Sequence, residues 1–225
     1  NWYEANKRDL PWRNTNDPYK IWLSEIILQQ TKVSQGLNYY LKFVKNYPNV
    51  ESLSEAEEDS ILKDWQGLGY YSRARNLHAS AKYIHKELDG NFPDTYEEIK
   101  KLKGVGDYTA SAISSFVFNE KNAVVDGNVY RVLSRFFGIS TPIDSSLGIK
   151  EFKTLAQSII PIDKPGIFNQ AIMQFGAMHR TPKNPNCHNC PFSDKCFALE
   201  QRQIGSVPVK KGKTKVKPVY FYYFI

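Results

Sequence analysis

LKGVGDYTASAI, at residues 102–113, places two glycines around a valine directly before a run of alanines and serines. Glycine permits the sharp backbone of a tight turn, and the residues that follow favour a helix. The stretch therefore predicts two helices joined by a hairpin at Gly104, Val105 and Gly106. The free N–H groups at the start of the second helix would suit an anion such as a DNA phosphate. An ordinary turn between helices explains the same glycines without any ligand.

Helical spacing and capping residues extend outward from this hairpin along most of the chain. Thr95 is expected to cap a helix with Glu98 as its capping-box partner, and Ser52 or Ser54 to cap the helix that contains Ile61. Helices are predicted at 72–88, 96–101, 107–118, 127–137, about 147–160 and 165–178. A strand pattern occurs only at 219–225, so the predicted fold class is all-α.

Two isolated acids are candidates for catalysis. Glu25 is the only charged residue between Lys20 and Lys32, in a helix that is otherwise apolar, and burial would raise its pKa towards that of a general acid. Asp126 follows an apolar run at the start of the next predicted helix, where helix N–H groups favour negative charge. One protonated and one ionised carboxyl suit the cleavage of a glycosidic bond. The alternatives are a buried Glu–Arg pair and a plain helix cap.

Composition limits the class of protein. The chain has 225 residues, 41% of them hydrophobic, which is enough to bury a core. No apolar run approaches the roughly 18–20 residues of a membrane span, and no signal peptide is recognisable. Three cysteines, all between 187 and 196, do not make a secreted disulfide framework. We therefore expect a soluble intracellular monomer, cytoplasmic and nucleoid-associated if the source is bacterial.

The net charge of +7 is a weak indication of nucleic-acid binding. Residues 201–225 contribute +6 of it, which leaves +1 on the first 200 residues. A local surface is more informative, because residues 65–86 carry Arg73, Arg75, Lys82 and Lys86 and no acid. If DNA binds, it meets such a local surface.

Six motifs, in order and at family spacing, resemble the MutY-type adenine DNA glycosylases of the helix-hairpin-helix, Gly/Pro-rich, Asp superfamily. The resemblance extends from Trp2 to about Leu199. The motifs are LPWR at 10–13, YKIWLSEIILQQT at 19–31, GLGYYSRARNLH at 67–78, GVGDYTASAI at 104–113, VDGNVYRVLSRFF at 125–137 and FNQAIMQFGA at 168–177. The resemblance implies an enzyme of base excision repair that hydrolyses the N-glycosidic bond of adenine mispaired with 8-oxoguanine or guanine.

The resemblance also implies catalytic roles. Glu25 matches the acid that protonates adenine at N7, and Asp126 matches the carboxylate that stabilises the oxocarbenium-like sugar. Tyr108 and Asn128 match accessory catalytic positions. Tyr108 stands where bifunctional relatives such as endonuclease III carry a Schiff-base lysine, which implies a monofunctional enzyme, with slow side reactions at Lys103 left open.

Further residues match positions that bind DNA or the adenine. Gln30 and Tyr70 match the wedge pair that fills the vacated base stack. Core packing is the alternative explanation for Trp12 and Tyr70. The expected adenine pocket consists of Trp12, Arg13, Leu28 and Gln170. The expected DNA contacts are Gln29, Gln30, Tyr70, Arg73, Arg75, Gly104, Val105 and Gly106.

The cysteines depart from the family pattern. Relatives bind a [4Fe–4S] cluster through Cys-x6-Cys-x2-Cys-x5-Cys. Cys187, Cys190 and Cys196 supply the last three ligands, and Arg180 stands at the first position. We expect a [4Fe–4S] cluster whose fourth ligand comes from His179 or solvent. A lost cluster, a Cys3His zinc site and three free thiols remain alternatives.

These expectations combine into two helical subdomains with a DNA groove between them. Residues 16–119 form a bundle that ends in the hairpin, and residues 1–15 and 120–202 form the cysteine-bearing half. Residues 203–218 are expected to be a basic linker, and 219–225 to begin a missing C-terminal domain, with a tail strand docked on this domain as the alternative. The expected partner is double-stranded DNA with an adenine mismatch, and no membrane.

Two other functions remain open at this point. One is a related glycosylase for another base, as in endonuclease III, and the other is a non-catalytic hairpin module. Tyr108, Gln30 and Gln170 favour adenine as the excised base, and the two isolated acids favour catalysis over binding alone.

Overall fold

The described residues, 2–212 of a computed structural model, have only helical regular structure. This confirms the all-α class for that part of the chain. The twelve α-helices are α1 Trp2–Asn6, α2 Pro18–Leu28, α3 Val33–Asn46, α4 Val50–Glu55, α5 Glu58–Trp65, α6 Ser72–Glu87, α7 Tyr96–Ile99, α8 Asp107–Phe118, α9 Gly127–Phe137, α10 Ser146–Ile159, α11 Pro165–Met178 and α12 Phe197–Glu200. The predicted strand at 219–225 and the linker residues 213–218 lie outside the described residues. No described helix is long and apolar enough to cross a bilayer.

Caps and breakers explain most helix bounds. Thr95 caps α7, since its hydroxyl accepts a hydrogen bond from the Glu98 N–H at 3.3 Å, but the reciprocal bond from the Glu98 side chain that the predicted capping box needs is not formed. The expectation for Ser52 and Ser54 is wrong. Asn49 caps α4, with Ser52 as its capping-box partner, and the helix that contains Ile61 begins separately at Glu58. The break at Ala56 and Glu57 divides the predicted single helix in two.

The larger core surrounds α2. Eight of the eleven side chains of Pro18–Leu28 are buried, all except the two ends and Lys20, so this helix is the centre of its bundle. Trp22 and Trp65 are fully buried, and α3, α6 and α8 pack around α2. Because α2 is enclosed on nearly every side, its one carboxyl group is enclosed with it.

A second core joins α9, α10 and α11. Val129, Leu133 and Phe152 are its most buried members. The division resembles the expected subdomains, although Leu10 and Trp12 pack in the first core, whereas the prediction placed residues 1–15 in the other half. The subdomain boundaries and the groove stay predictions.

Two helices of the second core meet at a glycine. A Cβ atom at Gly176 of α11 would lie 2.5 Å from the backbone oxygen of Asn128 and 2.8 Å from its Cβ. Only hydrogen fits in that space, so glycine permits the close packing of α11 against the start of α9.

We therefore expect Gly176→Ala to lower the melting temperature by about 3–10 °C, because overpacking forces α9 and α11 apart. Gly205→Ala is the control, since a Cβ there would meet nothing within 4 Å. Equal melting temperatures for the two variants would contradict the close approach.

Candidate active site

A cavity of about 610 Å³ lies where the two cores face each other. Both candidate acids line it, although they come from helices α2 and α9. The other predicted residues along its wall are Tyr108, Asn128, Trp12, Arg13, Leu28, Gln170, Gln29, Gln30 and Gly106. The fold thus gathers the predicted catalytic and pocket residues from distant parts of the sequence.

Glu25 lies at the buried wall of the cavity and is only 8% exposed. Burial raises the pKa of its carboxyl to about 7, and the negative charge of Asp126 adds to the increase. The Tyr108 hydroxyl and the Arg13 guanidinium lower the same pKa without cancelling the effect of burial. No ion pair to Glu25 occurs among the residues described. The alternative of a buried Glu–Arg pair is therefore wrong, and Glu25 is suited to give up a proton near neutral pH.

Asp126 is a helix cap and also a wall of the cavity. Its Oδ1 accepts the N–H groups of Asn128 at 2.9 Å and Val129 at 2.8 Å, and its Oδ2 accepts the Asn128 amide at 2.6 Å. These donors fix the carboxylate at the positive end of α9. The cap and the candidate catalytic group are thus the same side chain.

Tyr108 and Asn128 complete the polar wall. Burial raises the pKa of the Tyr108 phenol well above its ordinary value, and the nearby Glu25 carboxyl adds to this. Tyr108 is therefore a neutral hydroxyl at every physiological pH. Lys103, the candidate for side reactions, is exposed and does not line the cavity.

Arg131, which the motifs did not single out, holds the Asn128 side chain of this polar wall in place. Its guanidinium donates to the Asn128 side-chain oxygen at 2.6 Å and, through Nε, to the Arg180 carbonyl at 2.8 Å. Its position three residues after Asn128, on the same helix face, was the available signal.

The predicted adenine pocket contains both polar and aromatic walls. Trp12 is buried and meets the Tyr40 ring edge-on at 5.1 Å, so it both packs in the core and lines the cavity. The Gln170 Oε1 accepts the Tyr3 hydroxyl at 2.7 Å. Gln174, one helical turn further along α11, accepts a hydrogen bond from Arg13 and was missed despite its i, i+4 spacing from Gln170.

Two loops carry the predicted wedge pair. Gln30 has φ 57° and Tyr70 has φ 49°, so both adopt the left-handed backbone that non-glycine residues rarely use. Tyr70 is 67% exposed, which makes core packing the wrong explanation for it. Gln29 is turned inward, and its amide donates to the Thr109 hydroxyl at 3.3 Å.

Arg73 corrects one predicted DNA contact. Its guanidinium is buried and donates to the carbonyl oxygens of both wedge loops and of the end of α2. The five acceptors are Ile26 at 3.1 Å, Ile27 at 3.0 Å, Gln29 at 2.6 Å, Leu68 at 3.2 Å and Gly69 at 3.3 Å. With both terminal nitrogens of its guanidinium engaged inside the protein, Arg73 joins the two loops and does not present a cation to DNA.

The hairpin joins α7 to α8 as the sequence predicts. Gly104 has φ 79°, and a Cβ there would lie 2.9 Å from Asn76 of α6. Gly106 precedes α8 without a side chain to cap it, so first-turn N–H groups face outward. Val105 is buried as the anchor of the turn, and Arg75 is exposed and pairs with Glu58 at 3.3 Å.

The cysteine region does not fit the expected cluster. The guanidinium of Arg180 lies between Cys190 and Cys196 and donates to both sulfurs. The Nε2 of His179 is engaged away from the cysteines, since it accepts the Trp2 indole N–H at 3.1 Å, and its ring stacks on Phe175. No three His or Cys ligand atoms in the described chain lie within 4.8 Å of one another, so the Cys3His zinc site is not formed.

Comparison with known proteins agrees with this geometry. The family described as HhH-GPD superfamily base excision DNA repair protein matches residues 23–157. The adenine DNA glycosylase of Buchnera aphidicola subsp. Baizongia pistaciae is 41% identical over 226 residues, which cover 100% of this chain and 64% of that relative. The human adenine DNA glycosylase is 41% identical over 215 residues, covering 90% of this chain and 39% of that relative.

Among solved structures, a thermostable thymine-DNA glycosylase superposes with a TM-score of 0.82 at 33% identity, covering 89% of this chain and 92% of that one. The chain spans less than two thirds of the length of the adenine DNA glycosylases that it matches. The matches confirm the resemblance to the MutY-type family that the motifs indicated.

Arg73→Met should lower the free energy of unfolding by about 3 kcal/mol, because it leaves buried carbonyl groups without donors. Hydrogen exchange should accelerate at residues 28–31 and 67–70. Arg75→Met is the matched control, since its exposed ion pair contributes little to stability. A stability loss of equal size in both variants would contradict the bridging role of Arg73.

Glu25→Gln should stabilise the protein in a pH-dependent manner. The pKa of Glu25 is about 7 in the folded protein, against an ordinary value of 4.5. The folded state therefore binds this proton more tightly than the unfolded state. The stability that the proton provides is fully present below pH 4.5 and is lost as the pH rises through 7. Ionised Glu25 therefore costs about 3 kcal/mol at pH 8. The variant should gain that amount at pH 8 and little at pH 5, measured by denaturant unfolding. Glu87→Gln removes the same charge from an exposed position, and a matching gain there would refute the assignment.

Proposed function

The chain belongs to the HhH-GPD superfamily of base excision DNA repair proteins, and we propose that it is a monofunctional glycosylase that excises adenine mispaired with 8-oxoguanine or guanine. The observation that carries this proposal is the pairing of a buried Glu25, with its pKa raised to about 7, and a helix-capping Asp126 along one cavity. Identity to adenine DNA glycosylases over most or all of the chain supports the choice of base.

The two acids divide the chemistry between them. Glu25 in its protonated form donates its proton to N7 of adenine, so that the electron pair of the glycosidic bond leaves with a neutral base. The sugar then carries positive charge at C1′, and Asp126, held by three N–H donors, stabilises it electrostatically. Water attacks C1′, its proton passes to a carboxylate, and an abasic site remains.

Tyr108 favours hydrolysis without strand cleavage. A phenol has no amine nitrogen, so Tyr108 cannot form the Schiff base through which a lysine at this position would act. Its hydroxyl instead lowers the pKa of the Glu25 carboxyl beside it, without cancelling the increase caused by burial. Lys103 is exposed and does not line that cavity, which supports a monofunctional enzyme.

The substrate must bring an extrahelical adenine to this cavity. A volume of about 610 Å³ suits a single flipped base with water beside it. In this proposal the exposed Tyr70 and Gln30 fill the gap left in the duplex, from loops whose backbones both bond to Arg73. The N–H groups after Gly106 are suited to a phosphate of the same strand. Double-stranded DNA is therefore the proposed partner, and the compartment that holds the DNA is the proposed location.

Another excised base is the main rival. The thermostable relative that superposes over most of the chain is described as a thymine-DNA glycosylase, so the fold alone does not select adenine. A non-catalytic hairpin module is the weaker rival, because it has no use for a buried acid whose pKa lies near 7. The cluster that the resemblance implies enters no step of this mechanism.

Asp126→Asn tests the chemistry without removing the helix cap, because asparagine retains the Oδ1 acceptor. We expect single-turnover excision of adenine to slow by at least about 100-fold, with binding of the mismatched duplex unchanged. The duplexes should place adenine opposite 8-oxoguanine, guanine and thymine, and thymine opposite guanine. Full turnover by the variant would exclude the role of Asp126, and preferred release of thymine by the unaltered protein would favour the rival base.

A further inference from the structure

Arg180 is one of the most deeply buried charged residues in the described chain, at 2% exposure. Its Nη1 lies 2.9 Å from Cys196 Sγ and its Nη2 lies 3.4 Å from Cys190 Sγ. The carbon at the centre of the guanidinium sits 5.7 Å from the centroid of the Phe175 ring. The side chain therefore points into the cysteine region, and its two terminal nitrogens lie on the sulfurs that would otherwise ligate iron.

A guanidinium cannot serve as an iron ligand. It has five donors and no accepting lone pair, and it stays protonated in proteins. Its two hydrogen bonds direct N–H groups at the lone pairs that Cys190 and Cys196 would need for metal. The Arg180 side chain is therefore unable to bind iron itself. It also occupies the sulfurs of two of the three remaining cysteines.

Protein contacts also secure the rest of this region. The guanidinium of Arg135, 2% exposed, donates to the carbonyl groups of Thr181 at 2.9 Å and Val207 at 3.3 Å. The Cys196 thiol lies 3.5 Å from the Arg135 carbonyl. Cys196, Ala198 and Val207 form a small apolar cluster of their own.

Close packing of α12 against α9 completes this metal-independent support. Gly138, at the end of α9, has φ 72°, and a Cβ there would collide with the Phe197 ring. The α12 helix therefore lies directly on the end of α9. The segment that follows the cysteines is anchored by backbone hydrogen bonds and apolar contacts, with no contribution needed from a metal.

We propose that the guanidinium of Arg180 takes the place of the iron–sulfur cluster, and that residues 180–209 fold around it without metal. Cys190 and Cys196 act as hydrogen-bond acceptors for this side chain. In this proposal the Arg180 side chain, at the first ligand position, links α11 and α9 to the cysteine segment, residues 187–196.

Metal content tests the proposal directly. The full chain, expressed with added iron and purified without oxygen, should contain neither iron nor acid-labile sulfide and show no visible charge-transfer absorption. Arg180→Cys restores the four-cysteine spacing and should gain all three signals, whereas Arg180→Ser, of the same size but without a thiol, should gain none. A cluster in the unaltered chain would overturn the proposal. An Arg180→Cys protein that stays free of iron would show that the guanidinium does not stand in the place of the cluster.

A second test does not depend on the folding of the cysteine variant. Arg180→Met keeps most of the side-chain length but removes both hydrogen bonds to sulfur. Labelling of Cys190 and Cys196 by a thiol reagent under native conditions should become about tenfold faster or more, as expected when a stabilising contact of about 1.4 kcal/mol is lost. Arg202→Met, at an exposed position, should label at the rate of the unaltered chain. Unchanged labelling in Arg180→Met would contradict the structural role.

Discussion

The enclosure of the Glu25 carboxyl within an apolar helix is the constraint on which the site depends. Removing a carboxyl from water favours its neutral form, and the pKa of about 7 follows mainly from this burial. Asp126 reinforces the effect, because its negative charge raises the same pKa from across the cavity. The negative charge of Asp126 thus favours a proton on Glu25. Glu25 stays away from water because the helix that carries it, α2, is buried on nearly every side as the centre of the larger core.

Arginines inside the protein hold the loops around this pair. The last carbonyl groups of a helix lack partners within it, and they lie at the negative end of its dipole. Arg73 meets those of α2 and, with its other nitrogen, the carbonyls before Tyr70. Arg131 meets the Gly176 carbonyl in the last turn of α11 and, with its other terminal nitrogen, the Gly127 carbonyl at the start of α9. A planar group with five donors is suited to this task, whereas a lysine offers one point of contact.

The sequence predicted the elements whose signals are local. The hairpin glycines, the Thr95 cap and the helices at 107–118, 127–137 and 165–178 agree with the structure, because each depends on neighbouring residues. Glu25 and Asp126 stood out because each was an isolated charge in an apolar setting. Arg73 was wrongly assigned to DNA because a basic residue near a loop gives no sign of which way it points. Its burial depends on carbonyl groups more than 40 positions away in the chain. Gln174 and Arg131 had a local signal in their spacing from Gln170 and Asn128, but their bonds to Arg13 and to the Arg180 carbonyl depend on how distant segments pack.

Residue 180 can differ from the cysteine of the family pattern without disturbing Asn128 and Asp126 in the active site. The contact that joins this residue to the catalytic region is its backbone carbonyl, which accepts the Arg131 Nε at 2.8 Å, and any residue supplies that carbonyl. Arg131 in turn reaches Asn128, whose amide reaches Asp126. The side chain at 180 is therefore free to change so long as the backbone stays in place. Fixing that backbone with a buried cation has a cost. Burial lowers the pKa of the neighbouring Arg135 guanidinium, and the positive charges of Arg131 and Arg180 lower it further. Cys190 and Cys196 therefore have a use even without iron, because their sulfurs accept the hydrogen bonds of the buried Arg180 guanidinium.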